Sequence, residues 1–251
     1  MGAGGADIKF VLSSDIAVAG FSSRFGGVST GAYESLNLGY HVGDDSQNVT
    51  KNREILALSL KILSERDVVK NSPKSQPILK FMQQIHSNKV EILRNFDDEL
   101  PPCDAIITNL KNIALCVMVA DCSPILLIDE RSQVVAAIHA GRAGVLNKIC
   151  TNAINLMSSE FKCKSKDIKA FIGANIKSNC YEIGDLDLGE FNRYKNGKNF
   201  SLNDAILDEL TKLGVTHINI DATCTHCDER YFSYRRDGVT GRFAGFVYLK
   251  G

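Results

Sequence analysis

Three short apolar segments follow one another in the middle of the chain, with polar residues between them. They span residues 113–120, 125–128 and 134–138. Segments this short and this continuously apolar are typical of strands covered on both faces. Cys122 follows the first segment and His139 follows the third. Because sheet proteins usually bind ligands at strand ends, we expect these two side chains to lie at a functional edge of a sheet.

Apolar residues at the helical period predict two amphipathic helices, one over residues 143–161 and one over 201–213. A third helix is expected to begin at 44–46, where acidic residues favour the positive end of the helix dipole. Residues 10–21 hold two short apolar patches that predict two strands, and 169–172 predicts another. The helices and strands alternate without a βαβ rhythm, which indicates an α+β fold.

The remaining segments complete the prediction of a single domain over 1–251. Residues 1–9 are expected to be flexible, and 64–76 are expected to form a polar surface connection. Residues 217–220 alternate like a strand. The aromatic tail predicts strand segments on either side of a turn at 237–238.

A long stretch rich in Gly, Ser and Asn runs from residue 21 to residue 45. Loops of this length inside a domain are usually functional or disordered, and the aromatic residues here argue against disorder. Within the stretch, Arg24, Asn37 and His41 are candidate substrate contacts, and Arg53 in the following helix is a fourth. The alternatives are an ordered loop that satisfies its own backbone and an Arg53 that faces solvent.

Composition narrows the function classes. The chain has 251 residues, and its 29 basic and 29 acidic residues cancel. A chain with balanced charge has no strong positive potential that would attract nucleic acid or an anionic membrane surface. The N-terminus lacks the pattern of a secretory signal, and no apolar run is long enough to span a bilayer. The 8 cysteines are irregularly spaced, which favours reduced thiols in the cytoplasm over a disulfide framework.

His86, Cys122 and His139 offer the ligand types that zinc prefers, and a catalytic zinc site uses three protein ligands and one open position. Their spacing does not match a zinc finger, and His86 alone would usually be a structural histidine. A Cys–His nucleophilic dyad uses the same thiol and imidazole. The residue types leave both hypotheses open.

Two further patterns carry weaker signals. Cys224 and Cys227 form a CxxC motif, but the sequence has no second pair at zinc-finger spacing. A metal-binding or redox role is therefore one hypothesis, and the absence of any functional role is the other. Arg235, Arg236 and Arg242 could bind phosphate through bidentate contacts or form a solvated face.

Several motifs together resemble one known family, the YfiH/DUF152 family, which is also called the polyphenol oxidoreductase laccase or purine nucleoside phosphorylase family. The matching segments span most of the chain: SRFGGVSTGAYESLNLGYHVGDD, QQIH, DAIIT, ADCSPILL, AAIHAG, YEIG and SYRRDGVTGR. The resemblance implies a sandwich of mixed sheets flanked by helices, similar to a bacterial toxin deamidase with a Cys–His site.

The resemblance also implies a Zn²⁺ ion held by His86, Cys122 and His139. It implies phosphorolysis of purine nucleosides together with adenosine deaminase activity, with nucleoside and phosphate as substrates. Cys122 and His139 would then be catalytic, and Asp121 beside them would be a proton shuttle; the alternative is that Asp121 only forms a turn that caps Ser123. The protein would be a monomer or a small homo-oligomer.

Two departures bear on substrate preference. The family often reads HAGWRG where this chain has HAGRAG at 139–144, and GPCIG where this chain has GANIK at 173–177. Three other hypotheses stay open: a Cu²⁺-dependent phenol oxidase, a metal-free Cys–His hydrolase or amidase acting on cell-wall precursors, and a metal-holding interaction protein without turnover. A site with several copper ions usually needs many histidine ligands, and the chain has only 5 histidines.

Overall fold

The computed structural model describes residues 5–60 and 78–251. The predicted surface connection at 64–76 lies outside the described residues. The helices are α1 (Ser46–Ser59), α2 (Arg142–Leu146), α3 (Ile149–Phe161), α4 (Leu202–Lys212) and α5 (Tyr234–Asp237). The strands are β1 (Ile8–Ser13), β2 (Ala17–Ser22), β3 (Ile78–Phe81), β4 (Val90–Ile92), β5 (Ala105–Thr108), β6 (Ile113–Val119), β7 (Ser123–Asp129), β8 (Val134–Ala140), β9 (Lys169–Ile172), β10 (Lys195–Asn196), β11 (Asn199–Phe200), β12 (His217–Ile220) and β13 (Phe243–Leu249).

Two mixed sheets contain most of the strands. The first has the order β1-β2-β13-β6-β3, and the second has the order β12-β9-β7-β8-β5-β4. Both are mostly antiparallel, but β3 runs parallel to β6, β4 to β5 and β12 to β9. The strands β10 and β11 form a separate small hairpin.

The central strands are apolar throughout because each of their faces is covered. In β7, Leu126 and Ile128 belong to a buried cluster that also contains residues of the five-stranded sheet, such as Leu115. Ile125 and Leu127 point the other way and pack with residues of α3 and α4. On the far side of the five-stranded sheet, α1 supplies another cluster. The resulting layers, helix, sheet, sheet and helices, confirm the prediction of a sandwich of mixed sheets flanked by helices.

The predicted helix at 143–161 is wrong in one respect, because the chain forms two helices there. Lys148 adopts a left-handed conformation with φ of 58°, which interrupts the helix between α2 and α3. The Asn147 side chain donates to the carbonyl of Ala143 and closes the end of α2. The apolar period continues across this break, so periodicity alone did not reveal it.

Both ends of the chain also differ from expectation. Strand β1 includes Ile8 and Lys9, which we expected to be flexible. Tyr234–Asp237 is one helical turn, not a strand before a hairpin turn, because the Ser233 side chain accepts a hydrogen bond from the Arg236 N–H and caps it. In the described ranges, no helix is both long and apolar enough to cross a bilayer.

Candidate metal centre and cleft

Three predicted side chains converge at one end of the six-stranded sheet. Ligand atoms of His86, Cys122 and His139 all lie within 4.8 Å of one another. The Cys122 Sγ is 3.9 Å from the His86 Nε2, and the two imidazole rings meet edge to face with centroids 4.7 Å apart. We call these three residues the strand-end cluster.

The pairing of β7 with β8 brings two of the three together. Ser123 pairs with Ala140 and Pro124 pairs with His139, so Cys122 lies beside Gly141 just beyond the strands. A Cβ on Gly141 would lie 3.0 Å from the Cys122 Sγ and 3.2 Å from the His86 Cδ2. The absence of a side chain at this position therefore keeps the space between the ligands open.

Asp104 orients the two histidines. Its carboxylate is fully buried and accepts a hydrogen bond from His139 Nδ1 at 2.8 Å. The same carboxylate accepts from the backbone N–H groups of His86 and Ser87 and from the Ser87 hydroxyl. The His86 backbone has a left-handed φ of 57°, a conformation that surrounding contacts must hold. One buried carboxylate therefore fixes the tautomer of one imidazole and the turn that carries the other.

The charges within the cluster shift its pKa values. Burial alone would raise the pKa of Cys122, but the charges and hydrogen bonds of His139 and His86 lower it to about 6. Burial lowers the pKa of His139, yet the Cys122 thiolate and Asp104 together raise it to about 9. Burial opposes ionisation of Asp104 as well, but hydrogen bonds from His139 and Ser87 lower its pKa to about 2. A thiolate and an imidazolium are thus favoured at neutral pH when no metal is bound.

A cleft of about 510 Å³ opens above the strand-end cluster. His86 is exposed, whereas His139 is buried, and both line the cleft. Arginines and tyrosines form much of the wall: Arg142, Arg235, Arg242, Tyr181 and Tyr234.

Of the four predicted substrate contacts, only His41 lines this cleft. Burial, followed by the positive charges of Arg242, Arg53 and His86, lowers the pKa of His41. The imidazole is therefore more readily neutral than an isolated histidine, and the surrounding charge suits an anionic ligand.

The other three predicted contacts do not line this cleft, and a role for them in substrate binding stays a prediction. Arg24 donates to the carbonyl of Glu34 and stacks on Phe232. The guanidinium of Arg53 donates to the carbonyl of Leu38 and lies between the rings of Tyr40 and Phe81.

Asn37 is fully buried and serves its own loop. Its amide donates to Gly39 and Asp44, and its carbonyl accepts from the N–H groups of Gly39 and Arg242. The long loop at 21–45 is thus ordered by hydrogen bonds within itself and with Asn52 and Arg242.

Asp121 lines the cleft, and three hydrogen-bond donors engage its carboxylate. It accepts from the hydroxyls of Thr225 and Ser233 at 2.7 Å each and from the Arg235 N–H at 2.6 Å. These contacts hold the 225–235 segment against the strand end. A shuttle role for Asp121 stays a prediction, while the carboxylate that hydrogen-bonds to a cluster histidine is that of Asp104.

Sequence reasoning missed Asp104 as an organising residue and Arg142 and Tyr181 as cleft residues. The DAIIT and YEIG motifs contained the signal for two of them, since both place a polar or aromatic residue at the edge of an apolar segment. Arg235 and Arg242 were considered for phosphate binding and do line the cleft. Arg236 instead donates to the carbonyls of Thr225 and Tyr231.

The strand-end cluster fits a zinc ion. Two imidazoles and a thiolate are the donor types of catalytic zinc sites, and the second nitrogen of His139 is already bound by a carboxylate, as is usual for zinc ligands. Gly141 leaves the room that an ion needs.

Comparisons with known proteins identify the family of the chain. A family model described as "Multi-copper polyphenol oxidoreductase laccase" matches residues 18–250. The chain is 39% identical over 245 residues to a purine nucleoside phosphorylase of Corynebacterium glutamicum, covering 91% of this chain and 93% of that protein.

Solved structures of DUF152 and YfiH proteins are similar to this chain. A DUF152 protein of Neisseria meningitidis superposes with a TM-score of 0.83 at 30% identity, covering 98% of this chain and all of the other. YfiH of Bacillus licheniformis superposes with a TM-score of 0.81 at 27% identity, covering 96% and 99% of the two chains. These matches confirm the family resemblance that the motifs indicated.

Proposed function

The chain belongs to the multi-copper polyphenol oxidoreductase laccase family, and from that membership we propose that it is a zinc-dependent purine nucleoside phosphorylase with adenosine deaminase activity. One observation carries the proposal: the strand-end cluster forms the floor of a cleft whose walls bear three arginines and two tyrosines. The curated relative that is a purine nucleoside phosphorylase supports the same reaction.

The arginines suit the phosphate substrate. Arg142 in α2, Arg235 in α5 and Arg242 just before β13 all line the cleft. Arg242 uses one terminal nitrogen for the carbonyls of Thr240 and Gly241, and among the described residues its other guanidinium nitrogens have no hydrogen-bond acceptor. Planar guanidinium groups bind phosphate through paired hydrogen bonds, which would hold the nucleophile in one orientation.

The nucleoside would occupy the remaining space, with Tyr181 and Tyr234 available to pack against the purine. In phosphorolysis, an oxygen of hydrogen phosphate bonds to C1′ and the bond from C1′ to the base nitrogen breaks. The electron pair of that bond leaves with the base, which takes up the proton that phosphate brought. The products are the free purine and ribose 1-phosphate.

His86, Cys122 and His139 would hold the zinc ion, which when bound lowers the pKa of a coordinated water to about 7 and so supplies a nucleophile for deamination at C6. Asp104 keeps His139 in the tautomer whose free nitrogen faces Cys122. We expect these reactions to occur in the cytoplasm, where the thiol stays reduced.

The test is incubation of the zinc-containing protein with inosine and phosphate. We expect hypoxanthine and ribose 1-phosphate to be released and the release to be lost in Cys122→Ala. The matched control is Cys163→Ala, because Cys163 is buried among apolar residues far along the chain from the cluster. No release from protein with a full complement of zinc would refute the phosphorylase.

Deamination is tested separately with adenosine in the absence of phosphate. The expected products are inosine and ammonia, in equal amounts. If phosphorolysis occurs but ammonia does not form, the deaminase part of the proposal is wrong and the phosphorylase part stands.

A second candidate function is a metal-free Cys–His hydrolase or amidase. Cys122, His139 and Asp104 are arranged as a thiolate, an imidazolium and an orienting carboxylate, which is the arrangement of thiol hydrolases. Hydrolysis that survives chelation and is abolished by alkylation of Cys122 would favour this candidate over the zinc enzyme.

The copper phenol oxidase has less support. In the described residues the only clusters with three metal-ligand side chains are the strand-end cluster and one around Cys180, His226 and Cys227, and neither resembles a group of several histidine-bound coppers. Dioxygen uptake with a phenol after copper loading would identify such an activity.

A further inference from the structure

A second group of sulfur and nitrogen ligands lies outside the cleft, where two turns meet. The first turn, Ser178–Cys180, is a single 3₁₀ turn that ends on Cys180. The second is closed by hydrogen bonds from the N–H groups of Cys227 and Asp228 to the carbonyl of Cys224. Ligand atoms of Cys180, His226 and Cys227 lie within 4.8 Å of one another. The sulfur atoms of Cys180 and Cys227 are 3.3 Å apart.

Cys224 lies beside this group, and its side chain interacts with the thiols of Cys180 and Cys227. Burial, followed by the neighbouring thiols of Cys227 and Cys224, raises the pKa of Cys180 to about 12. The Cys224 sulfur accepts a hydrogen bond from the Lys177 N–H at 3.4 Å. Against burial, this N–H and those of Cys227 and His226 lower the pKa of Cys224. Backbone N–H groups that converge on a sulfur stabilise it as a thiolate.

His226 supplies an unused nitrogen. Its Nδ1 is buried and has no hydrogen-bond partner among the described residues. A buried polar atom without a partner is costly and calls for an explanation, such as an ion that it would bind. The spacing of Cys224 and Cys227 is also that of the paired cysteines in structural zinc sites.

We propose that these two turns bind a second zinc ion, a structural one, through three thiolates and one imidazole. The four ligands are Cys180, Cys224, His226 and Cys227, which we call the turn cluster. Four protein ligands leave no open position, so this ion would take no part in chemistry. Binding releases the thiol protons to solvent. The ion would add to the hydrogen bonds from the Lys177 N–H to the Cys224 sulfur and from the Thr225 N–H to the Asn175 carbonyl, which already connect the two turns.

The position of the turn cluster gives it a function. Tyr181, which lines the cleft, directly follows Cys180. Thr225 lies between two ligands of the turn cluster, and its hydroxyl donates to Asp121 at the edge of the cleft. A zinc ion here would therefore hold two parts of the cleft wall in place without touching the substrates.

The first experiment measures zinc per chain in proteins purified under reducing conditions and without chelator. We expect Cys122→Ala to keep one equivalent of zinc and Cys122→Ala/Cys227→Ser to lose it. Cys122→Ala/Cys163→Ala is the matched control and should keep it. If the strand-end cluster binds no zinc, wild type and Cys122→Ala will hold equal amounts, so failure of the proposed function would not be confused with failure of this inference.

The second experiment uses the unaltered protein, in case the variants fail to fold. Alkylation of Cys224 and Cys227, read from peptide masses, should be slow with zinc and at least tenfold faster after chelation. Equal rates in both states would overturn the proposal. A linked Cys180–Cys227 peptide in protein kept reduced and loaded with zinc would also overturn it, because the two sulfurs would then form a disulfide instead of binding metal.

Discussion

The strand-end cluster and the turn cluster contain similar ligands but are supported differently. The strand-end cluster is attached to paired strands of a doubly covered sheet, and a buried carboxylate holds both of its histidines. The turn cluster is formed by two short turns, and backbone N–H groups stabilise the sulfur of Cys224. Among the described residues, the first cluster faces a cleft lined by arginines, and the second faces a shallow surface depression next to Asp228 and Glu229.

This difference indicates a division of roles. A site that performs chemistry needs ligands held rigidly before any ion binds, together with one open position. A site that stabilises structure can be assembled by its ion, since the binding free energy is then part of the folding free energy. The predictions below test the contrast between a rigid cluster and an assembled one.

The largest expected difference is in thiol reactivity after chelation. Cys122 should be alkylated half-maximally near pH 6, because its thiolate is present above its lowered pKa of about 6 and is lost as the pH falls below it. Cys180 should react only in strongly alkaline solution, because its pKa is raised to about 12. Peptide masses after timed alkylation across a pH series measure both. A half-maximal pH for Cys122 close to the ordinary value of 9.0 would contradict the imidazolium–thiolate pair, and Cys122→Ala identifies the labelled peptide.

Asp104→Asn should disrupt the strand-end cluster alone. The amide cannot accept all of the hydrogen bonds that the carboxylate accepts, so zinc affinity at this cluster should fall by roughly 10- to 100-fold. The free energy of unfolding should fall by about 3 kcal/mol, because the buried His139 loses its charged partner. Competition with a zinc chelator and denaturant unfolding measure the two effects.

The matched control for this change is Asp129→Asn. Asp129 is equally buried, but its carboxylate accepts from the N–H groups of Arg131 and Ser132 at the opposite end of β7. Zinc affinity should be unchanged in this variant. Equal losses in both variants would mean that Asp104 supports the fold in general and does not act through the cluster.

Arg142→Gln and Arg53→Gln should separate a cleft arginine from a structural one. Loss of charged hydrogen bonds to phosphate, worth about 1.5–3 kcal/mol, should raise the KM for phosphate by roughly 10- to 100-fold in Arg142→Gln. Arg53→Gln should leave that KM unchanged and lower the Tm, because it removes the guanidinium from between Tyr40 and Phe81. A higher KM for phosphate in Arg53→Gln would show that Arg53 contributes to phosphate binding.

The smallest effect is expected from Thr225→Val, which cuts the hydrogen bond between the turn cluster and Asp121. Stability should fall by about 1 kcal/mol, and the KM for nucleoside should rise by less than tenfold, while zinc content stays the same. Thr108→Val is the control, because the Thr108 hydroxyl is also buried and donates to the carbonyl of Leu93. If both variants change the KM equally, the link between the turn cluster and the cleft is not specific.

Much of the fold was predictable because its signals are local. The apolar strands at the centre, the start of α1 and the amphipathic faces of α3 and α4 follow from residues that are neighbours in sequence. The break at Lys148 was not predictable, because the apolar period runs through it. The helical turn at Tyr234–Asp237 depends on a cap by Ser233, which competes with the strand preference of the neighbouring aromatic residues.

The candidate site divides in the same way. The types of the three ligands were evident in the sequence, and the strand ends at Cys122 and His139 suggested that two of them would meet. The sequence did not distinguish the arginines that line the cleft from those that only support the fold. Arg24, Arg53 and Arg142 are alike in sequence, and only the packing of loops and sheets turns one of them toward the cleft.

The sequence by itself thus determined the layered arrangement of strands and helices and the donor atoms available for a metal ion, because periodicity and residue chemistry are local properties. The tertiary structure decided that Asp104 holds His139, that Gly141 leaves room between the ligands and that Cys180 meets Cys227. Each of these contacts joins residues far apart in the chain. Their partners are set by strand register and by the burial of apolar faces, which no short stretch of sequence specifies.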